Sequence, residues 1–515
     1  MPDWLKNAVF YEIYPQSFYD SNGDGIGDIS GIIQKLDYVK SLGCSAVWLN
    51  PCFDSPFMDA GYDVRDYKKV APRYGTNEDL KNLFRAAHAK GIRVVLDLVP
   101  GHTSEEHKWF QKSRLAESGP YTNRYIWTKD VWDVPEKYHF VTGRAQRNGN
   151  YMVNFFSMQP ALNYGFCKVT ENWQLPYTHP DCLATREAIK DVMRFWLDAG
   201  CDGFRVDMAA SLVKNDPEKK ATSEIWRDIR NMLDRDYPQA ALISEWSDPQ
   251  KALKAGFHCD FYLDHKGNGY NSLMRNMDEA TDEDCSFFSS NGKGDIQMFL
   301  DDYLPAYNAT KEDGYISFIT CNHDTPRLGG RFDETELKLA YAFLFTMPGV
   351  PFLYYGDEIG MKYQKDLVSK EGGYNRTGTR TPMQWDRGRN AGFSSAPAEK
   401  LYLPVDTAPG APDVKSQAER RDSLLQTVRQ VIRLRRGNTD LQSDGPFAVL
   451  YAESGKFPFV YRRGRFVIAV NPSRKEVCAP VRCEGAVVFS VGGKAAVGSE
   501  IRMAAQSFAV VQELG

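Results

Sequence analysis

Residues 76–102 read TNEDLKNLFRAAHAKGIRVVLDLVPGH. The first half opens on a Thr-x-Glu capping signal at Thr76 and closes on Lys90-Gly91, as helices do. The second half, from Ile92 to Pro100, is a β-branched run with Asp97 inside it and His102 just beyond. A helix feeding an apolar strand is the repeating unit of parallel sheets, whose strands are joined by crossover helices.

The unit recurs along the chain. Strand-like runs start at Ala8 (AVFYEIYP), Ala46 (AVWLNP), Ile92, Cys201 (CDGFRVDMA), Ala240 (AALISEW), Cys259 (CDFYLDH), Gly314 (GYISFITCNHD) and Gly349 (GVPFLYYGDE), which makes eight. Helix-like stretches lie between them, such as ISGIIQKLDYVKSLG from Ile29 and EAIKDVMRFWLDAG from Glu187. Eight apolar strands in this alternation predict an α/β chain folded as a closed (β/α)8 TIM barrel.

One spacing breaks the rhythm. The third strand ends near Pro100 and the fourth begins near Cys201, too far apart for one crossover helix. The Tyr-, Asn- and Trp-rich span 104–178 is expected to be a domain B inserted after strand three. The barrel then comprises 1–103 and 179–438. A long charged helix is expected over QAERRDSLLQTVRQVIRLRRGN, from Gln417. Short alternating strands in 439–515 predict a C-terminal antiparallel β-sandwich.

The composition excludes several classes. Net charge is −4, with no basic footprint for nucleic acid and no polybasic patch for a membrane. No apolar run approaches a bilayer span. The start MPDWLKNAVFYEIYP has no signal-peptide pattern. With ten scattered cysteines and no CxxC, a cytoplasmic chain of free thiols is expected. No protein partner is implied. The 13% aromatic share suits both a sugar-stacking cleft and a large core.

Chemistry in such a barrel gathers at the C-terminal strand ends. Those ends carry Arg205 and Asp207 on strand four, Glu245 on strand five, and His323 and Asp324 on strand seven. Unpartnered buried carboxylates are costly, so three on one rim point to catalysis rather than packing. Three carboxylates suit glycoside cleavage: one meets the anomeric carbon, a protonated one serves the leaving oxygen, and a third holds sugar hydroxyls. Retention and inversion remain open at this level, because spacing in sequence does not measure carboxylate separation.

Four ordered motifs, DLVPGHTS (97–104), GFRVDMAA (203–210), LISEW (242–246) and TCNHD (320–324), resemble the α-amylase family of retaining glycoside hydrolases. Its α-glucosidase and oligo-1,6-glucosidase branch is the most similar, over nearly the whole chain. The resemblance implies Asp207 as nucleophile, Glu245 as general acid and base, and Asp324 as transition-state stabiliser. Arg205 would hold Asp207 ionised, while His102 and His323 would bond sugar hydroxyls. MDAGYDV (58–64) would place Asp59 beside the first sugar and stack Tyr62 under it. RTPMQW (380–385) offers Arg380, which is expected to pair with Asp59 and wall off the non-reducing end. An exo-acting α-glucosidase on short α-glucosides follows. A transglucosidase, a trehalose-synthase-type isomerase, an endo-acting α-amylase and a non-catalytic sugar-binding homologue are the alternatives.

The chain departs from the family pattern at three points. Gly101-His102 replaces Asn-His, so the second calcium site of amylases is not expected. Gln159-Pro160-Ala161-Leu162-Asn163 has Ala where the family has Asp. Met208 follows the nucleophile where branch members carry Val for α-1,6 or Thr or Ala for α-1,4 linkages, which leaves linkage open.

The segment DSNGDGIGD (20–28) alternates oxygen-bearing residues with glycine. Asp20, Asn22, Asp24, Asp28 and the Ile26 carbonyl resemble the first half of an EF-hand loop, but Gly31 stands where the bidentate Glu belongs. The family branch carries a calcium loop of another kind here. A structural Ca²⁺ is therefore expected, with Mg²⁺ the poorer fit.

Overall fold

The computed structural model describes residues 1–514. All eight expected strands form, as β1 (Phe10–Ile13), β2 (Ala46–Leu49), β3 (Arg93–Leu98), β4 (Gly203–Val206), β5 (Ala241–Ser244), β6 (Cys259–Phe261), β7 (Tyr315–Ser317) and β8 (Phe352–Tyr354). Their order is β7-β6-β5-β4-β3-β2-β1-β8, and every pairing is parallel. The two outer strands meet just past β7, where Phe352 N donates to Phe318 O at 2.8 Å and Thr320 N to Phe352 O at 3.0 Å. This closes the barrel. The strands are apolar on both faces because one lines the barrel core and the other meets the helices; β1, β2, β4 and β5 are buried at every position.

The crossover helices include α1 (Ile29–Leu42), α2 (Asn77–Ala89), α3 (Pro180–Asp198), α4 (Lys220–Asp236), α5 (Ile296–Thr310) and α6 (Glu334–Thr346). At α2 the capping box joins Thr76 to Asp79, not to Glu78, because position N3 is the one whose side chain reaches back to the cap. The long helix expected from Gln417 is two helices, Val414–Glu419 and α7 (Leu424–Arg436). Ser423 starts the second by accepting from Gln426 N at 3.2 Å, and a residue capping a new helix is not helical itself.

Between β3 and α3 the chain forms a six-residue helix (Lys108–Ser113) and a two-stranded hairpin, Phe140–Val141 with Tyr151–Met152. Ile126, Met152, Ala161 and Phe166 make a small core of their own there. Beyond α7, five antiparallel strands (β9 Ala448–Tyr451, β10 Phe459–Arg463, β11 Phe466–Asn471, β12 Gly485–Gly492, β13 Ser507–Glu513) face a three-stranded sheet across Val460, Val467, Ile501 and Met503. Two buried arginines hold the end of α6, Arg435 from α7 and Arg463 from β10 of this unit. Arg435 donates to the carbonyls of Phe345 (3.0 Å) and Met347 (2.8 Å), and Arg463 to that of Thr346. They satisfy carbonyls that the C-terminus of α6 leaves without helical partners. No helix among the described residues is long and apolar enough to cross a membrane.

Candidate active site

Asp207 and Glu245 each stand one residue past a strand end, and the ladder still holds their backbones. Asp207 N donates to Leu98 O at 2.9 Å, and Glu245 N to Val206 O at 3.0 Å. Asp324 sits in a turn closed by the Asn322 side chain, which accepts from Asp324 N at 3.0 Å and Thr325 N at 2.9 Å. All three carboxylates line one cavity of about 300 Å³, together with Asp59, Tyr62 and His102. That volume lies at the small end for ligand pockets.

Arg205 lies beneath, fully buried. Its guanidinium meets Asp97 at 2.8 Å, Glu245 at 2.7 Å and Asp207 at 3.3 Å. One cation thus sets both reactive carboxylates side by side. Burial and the neighbouring Glu245 carboxylate push Asp207 well above the usual carboxylate range, against the pull of Arg205. Two like charges this close resist ionising together. Asp324 is the reverse. Burial would raise it, but His323, Arg380 and Arg376 outweigh burial and hold it below the ordinary range.

His102 is buried and neutral, lowered to about 4 mainly by burial. Its Nδ1 is held by Asn154 Nδ2 at 3.1 Å, while among the described residues its Nε2 has no partner, and the ring lines the cavity. A buried orphan nitrogen at a cavity wall suits a sugar hydroxyl. Tyr62 stacks on His323 with centroids 5.3 Å apart at 12° and contributes to the cavity wall.

Two expected contacts are placed differently. Arg380 does not pair with Asp59; it is buried behind the site, on Asp324 Oδ1 (2.7 Å) and the His323 carbonyl (2.8 Å). The arginine that reaches Asp59 is Arg376, at 3.5 Å, and it also contacts Asp324 at 3.1 Å. Gln159 donates to the other Asp59 oxygen at 2.7 Å. The two arginines are four residues apart on one irregular loop, and nothing in their sequence ranks them. His323 is 0% exposed and faces protein on all sides. Its Nδ1 meets Glu12 (2.9 Å) and Asn50 (3.1 Å), and its Nε2 meets the Tyr62 hydroxyl (2.7 Å). It props Asp324 and Tyr62 and does not line the cavity. Arg205 likewise supports from below. Glu12 and Asn50 carried no sequence signal, being single polar residues in apolar runs, whereas Gln159 opens the Gln-Pro-Ala-Leu-Asn segment noted above.

At Gly101 a Cβ would meet Asn154 Nδ2 at 2.7 Å, so Asn154 fills the place a larger residue would take. Lys214 ties the same point together, donating to Ser211 O (2.7 Å) and Asn154 Oδ1 (3.2 Å), with its ammonium lowered to about 8, mainly by burial. The 20–28 loop is closed by its own hydrogen bonds. Asp20 accepts from Gly23 N and Gly25 N (both 2.8 Å) and from Ser394 Oγ (2.5 Å). Asp28 caps α1 through Gly31 N (2.7 Å) and also takes Ser21 N (2.8 Å) and Ser21 Oγ (2.7 Å). Most lone pairs of Asp20 and Asp28 are thereby taken, and among the described residues no three acidic, His or Cys side chains converge as a chelating cluster. Asp20, Asn22, Asp24, Ile26 and Asp28 all lie on this one loop, and no chemistry is routed through a cation there.

Residues 12–444 match the family described as alpha amylase, catalytic domain. A trehalose synthase/amylase, TreS, of Mycolicibacterium smegmatis is 34% identical over 475 residues, covering 84% of this chain and 76% of that relative. An oligo-1,6-glucosidase of Heyndrickxia coagulans is 33% identical and covers 93% of both chains. In fold, the chain matches the trehalulose synthase MutB of Pseudomonas mesoacidophila MX-45 with a TM-score of 0.82 at 23% identity, over 99% of this chain and 100% of that one.

Proposed function

The chain belongs to the α-amylase family, and from that premise we propose that it is a retaining, exo-acting α-glucosidase of short α-glucosides, malto- or isomalto-oligosaccharides. One observation carries the reading: Asp207, Glu245 and Asp324 share a cavity at whose wall Asp59, Arg376 and Asp324 are locked together. A single terminal glucose fits against that lock, its hydroxyls meeting Asp59, Asp324, Arg376 and the free His102 Nε2.

Asp207 then attacks the anomeric carbon as Glu245 protonates the glycosidic oxygen; the C–O bond breaks and a glucosyl ester forms on Asp207. Glu245, now ionised, takes a proton from water, which attacks the same carbon and frees Asp207. The reaction starts with one proton between the two carboxylates, and burial together with the neighbouring Glu245 charge resists ionising Asp207 as well. Arg205 stays bonded to both throughout.

Transfer of the glucosyl group to a second sugar, or back to the departing one, uses the same residues. The likeness to trehalose synthases supports this second reading. A product profile on maltose, isomaltose, sucrose, trehalose and maltotriose separates them. Glucose released from the non-reducing end supports hydrolysis; trehalose or longer oligomers as main products overturn it in favour of isomerisation or transfer. Release of maltose from longer chains counts against the exo reading.

A further inference from the structure

Glu12 is an acid inside the apolar run that becomes β1, and it is 0% exposed. Its Oε1 lies 2.9 Å from His323 Nδ1 and accepts from Asn50 Nδ2 at 3.1 Å. Its Oε2 has no hydrogen-bond partner among the described residues. An ionised carboxylate would leave that bare oxygen charged in the barrel interior, the costliest way to bury a polar group. A carboxylic acid leaves only a carbonyl oxygen there. Burial, the largest effect, pushes Glu12 well above the usual carboxylate range; Asn50 and Arg205 pull it down, while Asp97 and Asp324 add to the rise.

The contacts continue as a chain. His323 Nε2 lies 2.7 Å from the Tyr62 oxygen, and that oxygen lies 3.0 Å from Asp97 Oδ2. The rings of Tyr14 and Tyr62 lie parallel to the imidazole, at 6.4 Å and 5.3 Å, and fix its plane. Tyr62 has one hydrogen to give. Given to His323, it leaves the Tyr62 oxygen against the Asp97 carboxylate with nothing between them. It also turns an acceptor nitrogen toward Asp324 Oδ2, 3.5 Å away. Given to Asp97, it leaves the next hydrogen to be supplied by Nε2, and Tyr62 and Asp324 then both face a donor. The ring is neutral, since burial above all lowers His323 to about 3, so its Nδ1 is an acceptor. The Asn50 amide nitrogen, a donor 3.1 Å from Nδ1, agrees with that. The hydrogen in the contact between Nδ1 and Glu12 then comes from Glu12.

We propose that Glu12 is held as a neutral carboxylic acid whose O–H donates to His323 Nδ1, which fixes the ring with its Nε2–H toward Tyr62 and Asp324. Glu12 is thus a positioning residue. It touches no substrate and acts through His323 on two groups that line the cavity. The role rests on the proposed reaction, in which Asp324 holds the sugar.

The ring nitrogens give the test. The protein has eight histidines, and in isotope-labelled protein the His323 signals are the ones absent from His323→Gln. Two-bond proton–nitrogen correlations near pH 7 tell the two neutral forms and the charged ring apart. The wild type is expected to show the form protonated on Nε2. Glu12→Gln should show the same form, because its amide N–H takes the place of the acid O–H. Glu12→Leu offers no donor and is expected to lower kcat/KM on maltose and on a nitrophenyl α-glucoside about tenfold, the scale of one lost hydrogen bond. Glu12→Gln should recover most of that loss. A wild-type ring protonated on Nδ1, or on both nitrogens, overturns the neutral acid. A loss in Glu12→Gln as large as in Glu12→Leu, or no loss in Glu12→Leu, overturns the positioning role. A wild type inert on both glucosides but protonated on Nε2 overturns the glucosidase reading alone, so the failures are told apart.

Discussion

The Arg376 guanidinium lies 3.5 Å from the Asp59 carboxylate, across the cavity wall that also holds Asp324. A planar guanidinium reaches two carboxylates at once, which a lysine ammonium does not do with the same geometry. Arg376→Ala is expected to lower kcat/KM on maltose by about 100-fold, the scale of a misplaced substrate, and Arg376→Lys should recover little of it. Steady-state kinetics with full retention in either variant would return the wall to Arg380.

Asp207→Asn separates activity from stability. Loss of the nucleophile should reduce turnover by about 10⁴-fold or more. Stability should move the other way. Asp207 is raised in the folded protein, so below the unfolded carboxyl range both states are protonated and its ionisation has no effect. As pH rises above that range, ionising it in the folded state costs stability, and Asn escapes that cost. A Tm higher by a few degrees at pH 7, and unchanged near pH 3, is the expected pair of melting curves; a lower Tm at pH 7 would contradict the burial argument.

Glu245→Gln removes the acid but leaves the nucleophile. On maltose, whose leaving alcohol needs a proton, the loss should be about 10²- to 10⁴-fold. On α-glucosyl fluoride the formation of the ester should be far less affected. Equal losses on both substrates would take the acid role away from Glu245.

Asp324 is held low by His323, Arg380 and Arg376 despite its burial. Its contribution to stability is therefore present above the ordinary carboxylate range and is lost as pH falls through that range toward the lower folded value. Asp324→Asn should lower Tm at pH 7 and leave the acid end of the Tm–pH curve flatter than in the wild type. Parallel curves would show that the surrounding cations do not depend on this carboxylate.

Calcium at the 20–28 loop is a proposal resting on its residue types, since the carboxylates of Asp20 and Asp28 are occupied by N–H and O–H donors. Binding to the folded state alone would raise Tm. EDTA-treated protein should gain several degrees on adding millimolar Ca²⁺ and lose the gain in Asp24→Ala. A flat thermal shift would leave the loop as the hydrogen-bonded turn described above.

The barrel was legible because its determinants are local. Apolar runs such as AVWL and ALIS become strands wherever they are buried, and Asp207, Glu245 and Asp324 could be placed at the rim because strand ends define it. The cap at Thr76 stands where the sequence puts it, with Asp79 rather than Glu78 as its partner, whereas the break before Ser423 interrupts the expected single helix, since a cap depends on which side chain reaches back. The wall arginine was misassigned for a larger reason: Arg376 and Arg380 share one loop, and only the path of that loop decides which one meets Asp59.

By itself, the amino-acid order determined eight parallel strands, the positions of three acids at their ends and the kind of bond they could break. These follow from periodicity and from chemistry carried within a few residues. The tertiary structure alone decided which polar groups touch. It turned His323 inward onto Glu12 and Asn50, and put Arg376 rather than Arg380 on Asp59. Hydrogen bonds and ion pairs act over a few ångströms between residues hundreds of positions apart, and such distances exist only once the chain has closed on itself.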